Sequence, residues 1–320
     1  MGLGKSIKHN LPKTKKGKFF WVIFAMVGPI ALGVAAGIVI NEFFIGDSYD
    51  YSKVLEEQAQ QTSKDPAQEH ALMTKYEAVK SKGLKYEDYF KSYEMVQIGY
   101  EIFASYETSR SITIGHVDAG PVYQTIRGQS IRDHSKYCEE SLSKSSMVQV
   151  ATRAYLDTDQ KEVRLYRGAA TTATTASWNS EYETFTSAEY EKELGKTAAT
   201  PLIYIVNKKT VLSSEITRDG DNNIIITASL DPVYSVLKYI YQMKNISGLD
   251  SFPMFYSVDT KFTLDGTTLL PLKFSVVENY YPRYHGAGSN SWGHLDLTYE
   301  VGGQYDLPAY DENLIYPEEE

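Results

Sequence analysis

The chain has 320 residues, a formal net charge of −9, 42% hydrophobic residues and 23% charged residues. This length and apolar content allow a sizeable buried core and exclude an intrinsically disordered protein. The acidic balance argues against a nucleic-acid partner, because phosphate backbones are bound by clustered positive charge. A single cysteine, Cys138, excludes an intramolecular disulfide and a cysteine-rich zinc site.

The first predicted element is a transmembrane helix at residues 19–40. These 22 residues contain no charged side chain, and at about 1.5 Å per residue they cover the roughly 30 Å hydrocarbon core. Six lysines and no acidic residue precede the helix. This bias predicts a single-pass protein of the cell membrane, with residues 1–18 in the cytoplasm and the C-terminal domain extracellular. The alternative is a signal peptide that is cleaved near Ala35 and Ala36.

In the predicted helix, Gly33 and Gly37 are separated by three residues, a G-x-x-x-G spacing. This spacing brings membrane helices close together, so both residues are candidates for helix association. The same pattern also arises by chance, and then the helix is only a membrane anchor. Without residues 1–46 the chain retains 26 basic and 40 acidic side chains, so the outer part is strongly acidic.

A polar stalk with a short helix is predicted at residues 41–85. Asp65 followed by Pro66 is typical of a helix N-terminus, and an apolar stripe follows before Gly83. A second helical stretch is expected at residues 86–103, where tyrosine and valine recur on one face. Both helices are most simply explained by packing.

Strand-like alternation dominates the rest of the chain. Residues 169–176, almost all Ala and Thr, fit either a loop or a weak strand. Asp265 followed by Gly266 predicts a hairpin turn, and Asp231 followed by Pro232 predicts a helix N-terminus. Strands are predicted at residues 111–114, 122–127, 148–155, 162–167, 202–207, 210–217, 223–229, 258–264 and 269–277.

This order of elements resembles the half-barrel fold of the periplasmic lipoprotein carriers LolA and LolB and of the mycobacterial lipoproteins LppX and LprG. An N-terminal helical region, a run of strands and a helix are followed by closing strands that carry residues 262–266 and 275–280. The resemblance implies an α+β domain in which a curved antiparallel sheet, a half-barrel, packs on helices. It also implies a hydrophobic cavity and the handling of lipids or lipoproteins. The spanning helix departs from the family, whose members are soluble or lipid-anchored.

The chain is accordingly divided into five parts. They are a basic cytoplasmic tail, a transmembrane helix, a polar stalk, a half-barrel-like domain and an acidic tail, at residues 1–18, 19–40, 41–85, 86–303 and 304–320.

Six apolar residues are candidates for lining a ligand cavity in such a half-barrel. Apolar and polar residues alternate in the closing strands, so one strand face meets a core or a ligand and the other meets water. The inner face is either filled by the domain's own helices or left partly open for an apolar ligand. The candidates are Val236 and Ile240 from the predicted helix and Leu272, Phe274, Leu295 and Leu297 from the strands.

Catalytic and metal-binding motifs are not recognisable. The chain lacks G-x-S-x-G, H-E-x-x-H, P-loop and C-x-x-C patterns, so we expect neither an enzyme nor a cofactor. His116 with Asp118, and His294 with Asp296, have a spacing that places each pair on one strand face. Surface decoration explains these pairs more simply than a metal site does, so no metal is predicted.

We therefore expect a membrane-anchored, extracytoplasmic, non-catalytic binding protein for a lipid, a lipopeptide or a lipoprotein segment. The alternative is a structural subunit of a Gram-positive envelope assembly of the conjugation or secretion type, similar to subunits whose extracellular domains resemble nuclear transport factor 2. That role implies envelope protein partners. A hydrolase without a recognisable motif is the third hypothesis.

Overall fold

Eleven antiparallel strands form one large curved sheet in the computed structural model. The structure describes residues 66–118, 123–146, 149–157, 162–194, 202, 204–237, 255–280 and 291–311. The predicted span at residues 19–40, with Gly33 and Gly37, lies outside these residues, as does Ile240. Among the described residues, no helix combines the length and apolar character needed to cross a membrane.

The helices and strands are as follows in chain order. Helix α1 is Pro66–Ser81, a 3₁₀ turn covers Tyr86–Asp88, α2 is Ser92–Ser105 and α3 is Ser187–Leu194. The strands are β1 Thr108–Asp118, β2 Tyr123–Asp133, β3 Lys136–Lys144, β4 Gln149–Asp157, β5 Glu162–Ala170, β6 Ala176–Thr186, β7 Val211–Arg218, β8 Ile224–Leu230, β9 Phe255–Leu264, β10 Pro271–Tyr280 and β11 Ser291–Val301.

Two consecutive meanders make up the sheet. Strands β1 to β6 form one and strands β7 to β11 form the other, and the pairing of β1 with β11 joins them. The strand order is β6-β5-β4-β3-β2-β1-β11-β10-β9-β8-β7, so β6 and β7 are the two edges and the sheet does not close. The α+β class and the open antiparallel sheet are therefore observed.

Each face of the sheet is traced by residues that lie opposite one another on neighbouring strands. The inner face carries Phe274, which pairs with Leu297 and Phe262. The outer face carries Glu140, which pairs with Arg153 and Gln129. Because side chains alternate between faces along a strand, these residues fix the orientation of their neighbours outside the register irregularities in β5–β6, β7–β8 and β9–β10.

Several predicted elements are confirmed. Helix α1 begins at Pro66, and eight of the nine predicted strands overlap observed ones. The turn at Asp265 also forms, because its carboxylate accepts hydrogen bonds from the backbone N–H groups of Thr267 and Thr268 at 3.0 and 2.7 Å. Residues 169–176 resolve into the end of β5, a turn and the first residue of β6.

The sequence-based expectations differ from the structure at several elements. The predicted strand at residues 202–207 is wrong for its described residues, because the N–H of Ile205 donates to the carbonyl of Ser235 and not to a neighbouring strand. The predicted helix at residues 86–103 is interrupted between the 3₁₀ turn and α2. Strand β3, most of whose residues are polar, was not predicted, and neither were strand β6 and helix α3.

The helix expected after Asp231 is described only over its first residues. The carboxylate of Asp231 accepts hydrogen bonds from the N–H groups of Val233 and Tyr234, both at 2.8 Å. This is the geometry of a helix N-cap. Residues 238–250 lie outside the described part of the chain.

Candidate functional site

The inner face of β7 to β11 carries the main apolar core of the molecule. Phe274 is only 1% exposed, and its ring lies 4.8 Å from that of Phe262 and 5.7 Å from that of Tyr204. We call Phe262, Phe274, Val276, Leu295 and Leu297 the inner apolar cluster; all five are buried. At about 25 cal/mol per Å² of apolar surface, this burial is a major source of the domain's stability.

Helix α2 covers one end of the inner apolar cluster. The hydroxyls of Tyr100 and Tyr299 are hydrogen-bonded at 2.7 Å, and the ring of Phe103 meets Tyr299 edge-on at 5.3 Å. Gly99 allows this close packing, because a Cβ atom there would lie 2.5 Å from the carbonyl oxygen of Leu269. The helix therefore packs closely against the backbone of the turn between β9 and β10 as well as against side chains of the sheet.

The N-terminal helical region is fastened to the turn between β9 and β10. The hydroxyls of Tyr76 and Tyr86 donate to the carbonyls of Thr268 and Thr267 at 2.8 and 2.6 Å. The two rings are stacked with centroids 5.7 Å apart. Burial raises the pKa of Tyr76 to about 12 and also raises the pKa of Tyr86, so both hydroxyls stay protonated and can donate at physiological pH.

Four of the six predicted lining residues meet in this core. Val236, Phe274, Leu295 and Leu297 are buried and belong to one cluster of packed side chains. Leu272 is half-buried at a register irregularity between β9 and β10 and lies apart from that cluster. Whether any of them contacts a ligand stays a prediction.

A buried carboxyl group, which the sequence did not single out, lies at the border of the inner apolar cluster. Glu278 is 3% exposed and accepts a hydrogen bond of 2.6 Å from the hydroxyl of Tyr204. Burial raises the pKa of Glu278 to about 7, and this hydrogen bond opposes the shift. Its position in β10, two residues beyond Val276, is the only available signal, because the apolar alternation predicts a hydrophobic residue there.

Glu278 belongs to a row of residues that crosses the inner face. It pairs with Gly293, which pairs with Val117, which in turn pairs with Gln124. The side-chain nitrogen of Gln124 donates to Ser143, whereas its Oε1 atom is buried and has no hydrogen-bond partner among the described residues. A buried acceptor without a partner costs about 1 to 3 kcal/mol. The row thus places a protonatable carboxyl and an open acceptor beside the apolar cluster.

The inner face of β3 is polar although it is buried, whereas the neighbouring inner face of β4 and β5 carries a small apolar cluster around Ala154 and Leu165. Ser141 and Thr152 face one another with their hydroxyls 3.0 Å apart. Further along β3, Glu139 accepts a hydrogen bond of 3.1 Å from Tyr190 of α3. These side chains form hydrogen bonds with each other and so differ in kind from the packed hydrocarbon around Phe274.

The outer face of β7 to β10 carries a shallow groove of about 520 Å³. Its charged lining residues are Glu215, Asp259 and Lys261, and Ser229 donates to Asp259 at 2.6 Å. This groove lies on the face opposite the predicted apolar site. Most of its lining residues are serine, threonine or charged, and Ala228, Val276 and Val277 complete it.

The histidine pairs considered from the sequence do come together on the outer face. His116 pairs with His294 across β1 and β11, with ring centroids 5.8 Å apart, and His294 lies 3.4 Å from Asp296. Burial and the neighbouring His294 lower the pKa of His116. Within the described residues, no group of three potential ligands surrounds a common metal position.

Comparisons with known proteins give similarity at the level of solved structures. No protein-family model matches the chain, and no curated protein matches it. LprF from Mycobacterium bovis has 10% identity and a TM-score of 0.34, covering 69% of this chain and 97% of that chain. A DUF1329 family protein from Desulfovibrio piger has 9% identity and a TM-score of 0.27, covering 67% and 93%.

A putative outer membrane lipoprotein-sorting protein domain from Vibrio parahaemolyticus is also similar, with 8% identity and a TM-score of 0.25, covering 67% of this chain and 93% of that chain. Similarity at these TM-scores transfers neither a ligand nor an activity, so the function is argued from this chain's own residues.

Proposed function

We propose that this protein is a non-catalytic, extracytoplasmic binding protein that is anchored in the cell membrane by residues 19–40. Its inner face holds the apolar part of a lipid, a lipopeptide or a lipoprotein segment. The anchoring part of the proposal is supported by the uncharged stretch and by the lysines that precede it.

The ligand part of the proposal is supported by one observation: the inner apolar cluster borders the row that runs from Glu278 to Gln124. Leu295 of the cluster is two residues from Gly293 of the row, and both lie on the inner face of β11. An amphiphilic ligand needs hydrocarbon on one side and a hydrogen-bonding partner at its head. The cluster supplies the first, and the free acceptor of Gln124 with the carboxyl of Glu278 supplies the second.

Photolabelling of the full-length protein tests this proposal. The protein in detergent micelles is irradiated with a phospholipid that carries a diazirine on one acyl chain, and the labelled peptides are identified by mass spectrometry. We expect label in residues 271–280 and 291–301, and competition by unlabelled phospholipid. Label confined to residues 19–40 would reject a ligand on the inner face while leaving the membrane anchor intact.

Two neighbouring substitutions in β11 provide a matched control. Leu297 is buried on the inner face, whereas Thr298 is exposed on the outer face. Leu297→Trp should reduce the inner-face label about tenfold. The larger side chain takes up space that the ligand would occupy, and such overpacking costs about 1 to 3 kcal/mol. Thr298→Trp should leave the label unchanged. Equal labelling of both variants would argue that the ligand does not lie against Leu297.

The alternative role, a structural subunit of an envelope assembly, is favoured by a different observation. In the described part of the chain, the inner apolar cluster is packed against the protein's own side chains, as Phe274 shows by its contacts with Phe262 and Tyr204. A filled core needs no cargo. Crosslinking in intact cells distinguishes the roles, because stable protein partners together with no photolabel on β10 and β11 would favour the assembly subunit.

A further inference from the structure

The C-terminal strap, defined as residues 304–311, lies across the outer face of the sheet. Strand β11 ends at Val301, and Gly302 then adopts a left-handed backbone conformation with φ of +71°. At Gly303 a Cβ atom would lie 2.7 Å from the ring of Tyr305, so a larger residue there would have to move the Tyr305 ring. The strap begins beside β1, where the guanidinium of Arg110 lies 5.4 Å from the ring of Tyr305.

The middle of the strap contacts a buried ion pair of the sheet. Arg153 of β4 and Glu140 of β3 are both fully buried and bonded to each other, and Gln129 of β2 also donates to Glu140. A further nitrogen of Arg153 donates to the main-chain carbonyl of Ala309 in the strap. The guanidinium lies 4.4 Å from the ring of Trp178, which holds it in place.

The neighbouring tyrosines complete the contact. The hydroxyl of Tyr155 donates to the carbonyl of Pro308. The ring of Tyr166 stacks on Tyr310 with centroids 5.1 Å apart and an interplanar angle of 20°, and Tyr182 lies 5.1 Å from Tyr166. Two successive carbonyls and one aromatic ring of the strap are therefore recognised by groups on the sheet.

These contacts have the character of peptide recognition. Arg153 and Tyr155 bind main-chain carbonyls, which any extended segment presents, while the stacking of Tyr166 selects an aromatic residue at the next position. Pro308 is the buried member of the strap, and Ala309, Tyr310 and Asp311 are exposed. We call the surface that binds the strap the slot; its residues Arg110, Arg153, Tyr155 and Tyr166 lie on strands β1 to β5. The strap lies on top of the slot and is not part of the sheet.

We propose that this slot on the outer face is a peptide-binding site, and that its partner is residues 304–311 of a second copy of this chain, exchanged for its own strap. The structure shows that the slot is complementary to the sequence of the strap, because its groups contact Pro308, Ala309 and Tyr310. Reorientation at Gly302 and Gly303 is the change that exchange requires, and the contacts formed between copies are the same as those within one copy. Exchange of an identical element is a low-cost route to dimers.

Crosslinking between two differently tagged full-length copies tests the exchange. One copy carries Tyr166→Cys and the other carries Tyr310→Cys, both in a Cys138→Ala background, and a short bis-maleimide joins the two thiols. Tyr166 and Tyr310 are half-buried and exposed, so neither substitution removes core packing. A single chain with both cysteines measures the contact within one copy.

Tyr123→Cys in place of Tyr166→Cys supplies the matched control, because Tyr123 is exposed on the same face but lies six residues along β2 from Gln129. We expect the yield of crosslinked mixed dimer to be at least about tenfold above this control. Thiols that are held in contact react faster than thiols that meet by chance. Two results would overturn the proposal. One is an intrachain product without mixed dimer above the control, and the other is the absence of both products.

Discussion

The two halves of the sheet achieve burial in different ways. The apolar half, β7 to β11 with α1 and α2, packs hydrocarbon against hydrocarbon around Phe274. The polar half, β2 to β6 with α3 and the strap, buries charged and hydroxyl groups such as Arg153, Glu140 and Ser141 at no more than 1% exposure. Strand β1 separates the two.

This difference determines what each half tolerates. Apolar packing is non-directional and loses stability in proportion to the volume removed. A buried ion pair gains little overall, but removal of one partner leaves an uncompensated charge. We therefore expect the apolar half to supply most of the stability, and the polar half to specify which segments pack on it. Four predictions test this comparison, beginning with the largest expected effect.

Truncation in the apolar half should have the largest effect. Phe274→Ala removes a ring that contacts Phe262 and Tyr204, so we expect a loss of about 3 to 5 kcal/mol in the free energy of unfolding. Urea denaturation of the full-length protein in micelles measures it. Leu212→Ala on β7 is the control, because this side chain is 63% exposed and should change stability by less than about 0.5 kcal/mol. Equal effects would disprove the packed core.

Breaking the buried ion pair should cost slightly less. Arg153→Met leaves Glu140 with its hydrogen bond from Gln129, and the carboxyl can take up a proton, so we expect a loss of about 3 kcal/mol. Arg153→Met combined with Glu140→Leu should recover most of that loss. Arg164 forms an ion pair of 2.6 Å with Glu162, and both side chains are exposed to solvent. Arg164→Met should therefore cost less than about 1 kcal/mol. Similar losses for both arginine substitutions would remove the distinction.

The pH dependence of stability tests the one buried carboxyl that we identified in the apolar half. Burial raises the pKa of Glu278 from 4.5 to about 7. The folded state thus retains a proton that the unfolded chain releases near pH 4.5. The stabilisation is fully present below pH 4.5 and is lost as the pH rises through about 7.

At roughly 1.4 kcal/mol per pKa unit, this loss is on the order of 3 kcal/mol or less. Glu278→Gln keeps an acceptor for Tyr204 and cannot titrate. Its unfolding free energy should therefore lack this loss between pH 4.5 and 7, as measured by urea denaturation at several pH values. An unchanged pH profile in the variant would assign the slope to other groups.

Weakening the strap should have the smallest effect on stability and a clear effect on thiol access. Cys138 is fully buried beneath this region and pairs with Tyr155 across β3 and β4. Tyr310→Ala removes the stacking on Tyr166, which is worth about 0.5 to 1.5 kcal/mol. The alkylation rate of Cys138, measured by mass spectrometry, should then rise about 2- to 10-fold. Tyr123→Ala should leave the rate unchanged, and an equal acceleration would indicate general loosening.

The sequence predicted most strands because their alternation is local. Leu295 and Leu297 alternate with Asp296 and Thr298, and these residues lie in β11 with the apolar members buried. The candidate site was predictable only in part. Alternation identified Phe274 and Leu297, but it gave no reason to expect a carboxyl at position 278 to be buried, since its partner Tyr204 is 74 residues away.

The polar half was the hardest to predict. Strand β3 reads as a polar segment, because the groups that make its burial favourable, Arg153 and Tyr190, come from β4 and α3. The binding of the strap depends likewise on residues about 150 positions earlier in the chain, such as Arg153 with Ala309. No pattern within a short window reports such pairs.

By itself, the sequence determined the local elements: the helix that begins at Pro66, the turn at Asp265 and the alternating strands, because propensity, capping and periodicity act over a few residues. The tertiary structure alone decided the pairing of β1 with β11, the fully buried Arg153–Glu140 pair and the strap across the outer face. Each of these depends on contacts between residues far apart in the chain, whose free energy exists only once the sheet has brought them together.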